Sequence, residues 1–179
     1  CHTASPASAL AAAPSNDRGD TPLHVAVACG RTAVVAALCQ LDPDLVAVEA
    51  ANATKETPLH RAAATNRLGA LGAMLAVKDR WPSTLLKHYV DPPNARKETP
   101  LHLAVRANHA GPALLLLDAG ANVKEPDVDG LTPLTLAYRR STDDFIRRVL
   151  LEHEVTAALA TTAHIHHHRG WSSSPSAVR

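Results

Sequence analysis

One tetrapeptide recurs along the chain and constrains its fold more than anything else in it. Thr-Pro-Leu-His stands at Thr21–His24, at Thr57–His60 and at Thr99–His102, and an altered copy, Thr-Pro-Leu-Thr, at Thr132–Thr135. The intervals are 36, 42 and 33 residues. A given tetrapeptide arises at a given position with a chance on the order of 10⁻⁵, so this spacing marks an internal repeat. Each copy reads as a helix start. The threonine hydroxyl suits an N-cap, and proline fits the first helical position, where its missing N–H removes nothing and its fixed φ helps. Nine residues after each threonine stands Gly30, Asn66, Asn108 or Ser141. Gly and Asn tolerate the left-handed conformation that ends a helix; Ser141 is the weakest of these stops.

A second helix follows in every unit. Its apolar positions are Val34, Val35, Leu38 and Cys39 in the first copy and Ala70, Leu71, Met74 and Leu75 in the second. They are Pro112, Ala113, Leu116 and Leu117 in the third, and Phe145, Ile146, Val149 and Leu150 in the fourth. The spacing i, i+1, i+4, i+5 puts all four on one face. The first helix of each unit adds Leu23 and Ala26, Leu59 and Ala62, Leu101 and Ala104, Leu134 and Ala137. One such unit cannot bury its apolar face alone, whereas stacked units can. With aromatics at 3%, the core is expected to rely on small side chains and close helix approach.

These residues resemble the ankyrin repeat, whose period is about 33 and whose signature includes Thr-Pro-Leu-His-x-Ala. The third copy is similar to the family furthest along its length, ending Leu116-Leu117-Asp118-Ala119-Gly120-Ala121-Asn122, and Asp127–Thr132 is similar to the family's hairpin turn. The resemblance covers about residues 16–153, with repeats at about 16–51, 52–93, 94–126 and 127–153. It implies an all-α solenoid of L-shaped units: a β-hairpin-like loop, an inner helix, a turn and an outer helix. Three departures stand out. Lys55 and Lys97 occupy the hairpin position that Gly19 and Gly130 fill in the outer copies, so those turns are expected to differ or to carry strain. Thr135 replaces the histidine. The second copy is the longest, with its extra residues between about Val77 and Pro93.

Residues 1–15, small and Pro- and Ser-containing, are expected to be linker, disordered or the remnant of an upstream repeat. The fourth repeat reads as a polar C-terminal cap, with Asp143 and Asp144 in the first turn of its outer helix and Arg147 and Arg148 at i+4. Residues 154–179 are expected to form a short helix and, from His164, a mobile His- and Ser-rich tail. The chain opens on Cys1 and not Met, which leaves open whether it belongs to a longer protein.

The chemistry-bearing residues point away from catalysis. No phosphate loop, nucleophile elbow or His-Glu-x-x-His motif is present. His24, His60 and His102 recur, so a catalytic role would have to explain three copies; the resemblance implies that they tie adjacent loops together. His164, His166, His167 and His168 form a cluster of metal-ligand type, but fixed geometry and supporting partners are missing from the flanking sequence, so no metal site is assigned. No cofactor is expected. Three cysteines, Cys1, Cys29 and Cys39, give no disulfide framework and suit reduced thiols in the cytoplasm or nucleus. A net charge of +1 gives no footprint for nucleic acid, and no apolar run reaches the length of a membrane span.

The expected function is a non-enzymatic protein-binding module, monomeric, acting as scaffold or adaptor. The resemblance places contacts at hairpin tips and exposed inner-helix positions. Those are Asp17, Arg18 and Asp20; Thr54, Glu56 and Thr65; Arg96, Glu98 and Arg106; and Asp129, Leu131, Arg139 and Arg140. Trp81 and Tyr89 of the insert are further binding candidates if exposed. With Leu85 they form an i, i+4, i+8 stripe, and the alternative is that it folds back over Leu114 and Leu115. Two competing readings are a regulatory or targeting segment of a larger enzyme, and metal binding through the histidine tail.

Overall fold

The computed structural model describes residues 16–40, 50–76, 89–140 and 142–168, with backbone alone at 157, 158 and 160–168. Eight helices are described in the order α1 Pro22–Ala28, α2 Thr32–Gln40, α3 Pro58–Ala64, α4 Leu68–Leu75, α5 Pro100–Arg106, α6 Ala110–Asp118, α7 Pro133–Arg139 and α8 Asp144–His168. The odd-numbered helices are the short inner ones and open on the four threonines, each with proline in its first turn. Inner helices pack on inner helices, outer on outer, and each inner helix on its own outer helix. The architecture is an all-α repeat, and no strand occurs among the described residues.

The inner helices end where the sequence says they must. Gly30, Asn66 and Asn108 have φ of +68°, +55° and +57°. The next N–H then turns back to the helix: Arg31 donates to the Ala26 carbonyl at 2.9 Å, Arg67 to Ala62 at 3.0 Å and His109 to Ala104 at 2.9 Å. The fourth stop, Ser141, lies outside the described residues, but Thr142 N–H makes the same bond to Ala137 at 3.2 Å.

The core is one continuous cluster running through all four repeats. Ala62, Ala104 and Ala137 are fully buried between neighbouring helices, the close approach that the repeated alanine implied. Of the outer-helix positions, all four are buried in α4 and in α6. Two expectations need correction at the ends of the stack. Val34 is 48% exposed and Phe145 52% exposed, although Val35 and Ile146 beside them are buried as expected. Arg147 pairs with Asp144, one turn back, rather than with Asp143 at i−4, and its guanidinium lies 5.7 Å from the centre of the Tyr138 ring.

The last outer helix does not stop with the repeat. No Gly or Pro interrupts the sequence between Asp144 and His168, and α8 runs through to His168 as a single helix of 25 residues. The backbone of His164, His166, His167 and His168 is therefore helical, where a separate short helix and a tail were expected.

Candidate functional site

Each repeat begins with a hairpin-like loop held by one side chain. The first loop residue, Asn16, Asn52, Asn94 or Asp127, turns its side-chain oxygen back to accept two backbone N–H groups. For Asn94 these come from Arg96 at 2.8 Å and Glu98 at 2.9 Å; for Asp127, from Asp129 and Leu131, both at 2.9 Å. Such Asx turns suit short polar residues at just this offset. The loops then bond to one another. Ala53 N–H donates to the Arg18 carbonyl at 3.0 Å, Ala95 to Thr54 at 3.1 Å and Val128 to Arg96 at 3.0 Å. The four tips thus form one row.

The repeated histidines fix this row to the inner helices. The Thr21, Thr57 and Thr99 N–H groups donate to Nδ1 of His24, His60 and His102 at 3.1, 3.1 and 3.2 Å. Nδ1 is therefore the acceptor, and the network assigns the proton to Nε2. Each Nε2 donates across the repeat boundary: His24 to the Glu56 carbonyl at 2.9 Å, His60 to Glu98 at 3.0 Å, and His102 to Leu131 at 3.0 Å. All three rings are buried, and burial pushes their pKa down, that of His60 to about 4. They are neutral structural links, as the resemblance implied. The fourth repeat holds Thr135, whose hydroxyl donates to the Thr132 carbonyl of its own loop at 2.9 Å.

The expected contact residues divide by exposure. Asp17, Arg18, Thr54, Thr65, Arg96, Asp129, Arg139 and Arg140 are exposed along the tips and the inner helices, and Glu56, Arg106 and Leu131 are half-buried. Three others are corrected, since they are buried and unavailable as surface. Asp20 is 5% exposed, takes a hydrogen bond from Asn52 at 2.9 Å, and is paired with Arg61 at 3.1 Å. Burial alone would raise its pKa, but the bonds from Asn16 and Asn52 and the Arg61 charge prevail and hold it at about 2. Glu98 is buried and paired with Arg106. Tyr89 is buried, and its hydroxyl donates to the Met74 carbonyl at 2.6 Å. Tyr89 is therefore packed; Trp81 and Leu85 lie outside the described residues. Leu115 packs against the core and Leu114 is half-buried.

The pairing also redistributes the positive charge. Arg61 and Arg106 are each matched with a buried carboxylate, and Arg96 reaches Asp129 at 3.8 Å. Two other cations stand out in the sequence for their turns but not among the contact residues. Lys55 and Lys97 sit exposed at the second and third tips with φ of +57° and +56°. The turns do not differ from the glycine turns, whose φ is +71° at Gly19 and +75° at Gly130. They carry strain instead, since the left-handed region costs a residue with a Cβ roughly 1–2 kcal/mol. The signal was the missing glycine.

The Cys39 thiol is buried, which pushes its pKa up to about 11, and Cys29 is exposed. Among the described residues no group of three or more His, Cys, Asp or Glu side chains is placed to hold a metal ion. No described helix is long and apolar enough to cross a membrane.

Comparison with known proteins agrees with the repeat geometry. Residues 7–78 match a family model described as ankyrin repeats in three copies, and residues 85–137 match one described as ankyrin repeats in many copies. Together the two matches span well over half of the chain. No curated protein matches it.

Proposed function

This chain belongs to the ankyrin repeat family, and from that premise we propose that it is a non-enzymatic scaffold or adaptor whose partner is a protein bound along the hairpin tips and the exposed side of the inner helices. Modules of this family are protein-interaction units, and solenoids use an extended concave surface for the purpose. The observation that carries the reading is the row of tips. Three backbone bonds between successive loops and three histidine bonds to the inner helices hold it in a fixed geometry before any partner arrives. Preorganisation of this kind lowers the ordering entropy that binding would otherwise lose. Arg18 and Arg96 at the tips and Arg139 and Arg140 at the end of α7 supply exposed charge along it.

Affinity capture with mass spectrometry tests this directly. The expected result is a protein recovered by the parent, lost with Arg139→Glu/Arg140→Glu, and retained with Asp118→Lys, a change on an exposed outer-helix position. Recovery that is indifferent to the first pair and abolished by the second would overturn the choice of face.

A further inference from the structure

Three of the four tips carry a cation that no described residue neutralises. Lys55 and Lys97 are exposed, and neither ammonium is paired, whereas Arg61, Arg96 and Arg106 each have a carboxylate. Arg18 stands exposed at the first tip. The two lysines are also the residues held in the left-handed region, where the outer repeats use glycine. The surrounding loop over-determines that conformation. In the second tip, Asn52 accepts from Thr54 and Glu56, both at 3.0 Å, and Lys55 N–H donates back to the Asn52 carbonyl at 2.9 Å. The third repeats this around Asn94. Strained backbone kept in place by its surroundings concentrates at positions that serve function.

We propose that Lys55 and Lys97 form a cation pair that reads an acidic peptide segment lying across the tips, with Arg18 extending it by one position. The inference rests on the protein-binding reading above and names the chemistry of its partner. Spacing favours a particular form of peptide. Elements packed side by side lie about 8–10 Å apart, which sets the step from one tip to the next. A polyproline II segment advances about 3.1 Å per residue with three residues per turn, so every third side chain faces the same way about 9 Å further on. An acidic residue at every third position therefore meets successive cations. A nucleic acid fits less well, because the chain's net charge is only +1 and three cations in a row make a small phosphate footprint.

The test uses the full chain and a labelled peptide of four Glu-Pro-Pro triplets. Lys55→Asn/Lys97→Asn removes both charges while keeping a residue that tolerates positive φ, and it is expected to weaken binding about tenfold at low salt. Lys55→Gly/Lys97→Gly is expected to weaken binding equally while raising the melting midpoint by about 4–8 °C, because it also removes the strain. Lys55→Arg/Lys97→Arg is expected to keep the affinity. Unchanged binding in the Asn or Gly pair overturns the proposal, as does equal affinity for Lys-Pro-Pro triplets or for a short thymidine oligonucleotide. A glycine pair without gain in stability removes its premise. A captured partner that is lost with Arg139→Glu/Arg140→Glu but indifferent to Lys55→Asn/Lys97→Asn sinks the lysine pair and leaves the module reading intact. Capture indifferent to both sinks the module reading itself.

Discussion

Thirteen residues after the capping threonine, the two central repeats have Ala70 and Pro112 and the two outer repeats have Val34 and Phe145. The small residues are buried and the large ones are about half exposed, at 48% and 52%. Residue type alone would predict the reverse. The first inner helix repeats the contrast and the last does not: Val25 of α1 is 38% exposed, while its counterparts Leu103 in α5 and Leu136 in α7 are 3% and 5% exposed. The contrast is confined to particular positions, since Val35 and Ile146 of the same outer repeats are 0% and 1% exposed and belong to the shared core; stacking buries the face turned to a neighbouring repeat and leaves the rest open. The hairpins invert the pattern. The well-packed central repeats carry the strained Lys55 and Lys97, and the less enclosed outer repeats carry the relaxed Gly19 and Gly130. Strain is thus placed where packing is best able to hold it.

The largest expected effect comes from breaking the centre. Ala104 is fully buried in α5, so Ala104→Pro loses a helical bond and forces a ring into filled space. The expected loss is roughly 4–6 kcal/mol, read as a collapsed helical circular-dichroism signal on mild heating. A variant as stable as the parent would contradict the assignment of α5. Next, Leu71→Ala should cost about 3 kcal/mol in urea unfolding, whereas Val34→Ala at the exposed end should cost less than about 0.5 kcal/mol. Equal losses would erase the distinction between centre and end.

The histidine links sharpen it further. His60→Ala leaves the Thr57 N–H and the Glu98 carbonyl without their partner in a buried site, and a loss of about 2 kcal/mol is expected. Thr135→Ala, whose hydroxyl bonds to the Thr132 carbonyl of its own loop rather than to a neighbouring one, should lose under about 1 kcal/mol. Acid reaches the same links. The pKa of folded His60 lies at about 4, below its ordinary 6.5, because burial disfavours the charged ring. The unfolded chain therefore takes up the proton first, and stability falls as pH drops from about 6.5 towards 4. The melting midpoint measured across that window should fall in the parent and fall less in His60→Ala.

These contrasts also mark what a sequence can disclose. Thr-Pro-Leu-His, the glycine and asparagine stops and the outer-helix apolar positions are local signals, and α1 to α7 follow from them. The run of α8 through to His168 needed only the absence of Gly and Pro to be given more weight. Other features depend on residues far apart in the chain. Asp20 looks like a loop-tip acid until Arg61, 41 residues away, is seen to cover it. Tyr89 looks like a surface aromatic until its hydroxyl is seen against the Met74 carbonyl. The free charge of Lys55 and Lys97 became visible only once the arginines had been matched to their carboxylates.

A modest effect of opposite sign at the two sites is expected from an exchange of hairpins. Lys97→Gly should gain and Gly130→Lys should lose about 1 kcal/mol, because the two positions share one backbone conformation. Changes of the same sign would mean that the loops are not equivalent.

The claim that the central tips are the recognition surface is tested most directly by amide chemical-shift mapping during titration with the Glu-Pro-Pro peptide. The account predicts that the shifts concentrate at 53–56 and 95–98, with a weaker set around Arg18. Shifts confined to the outer helices α2, α4 and α6, or none at saturating peptide, would contradict it.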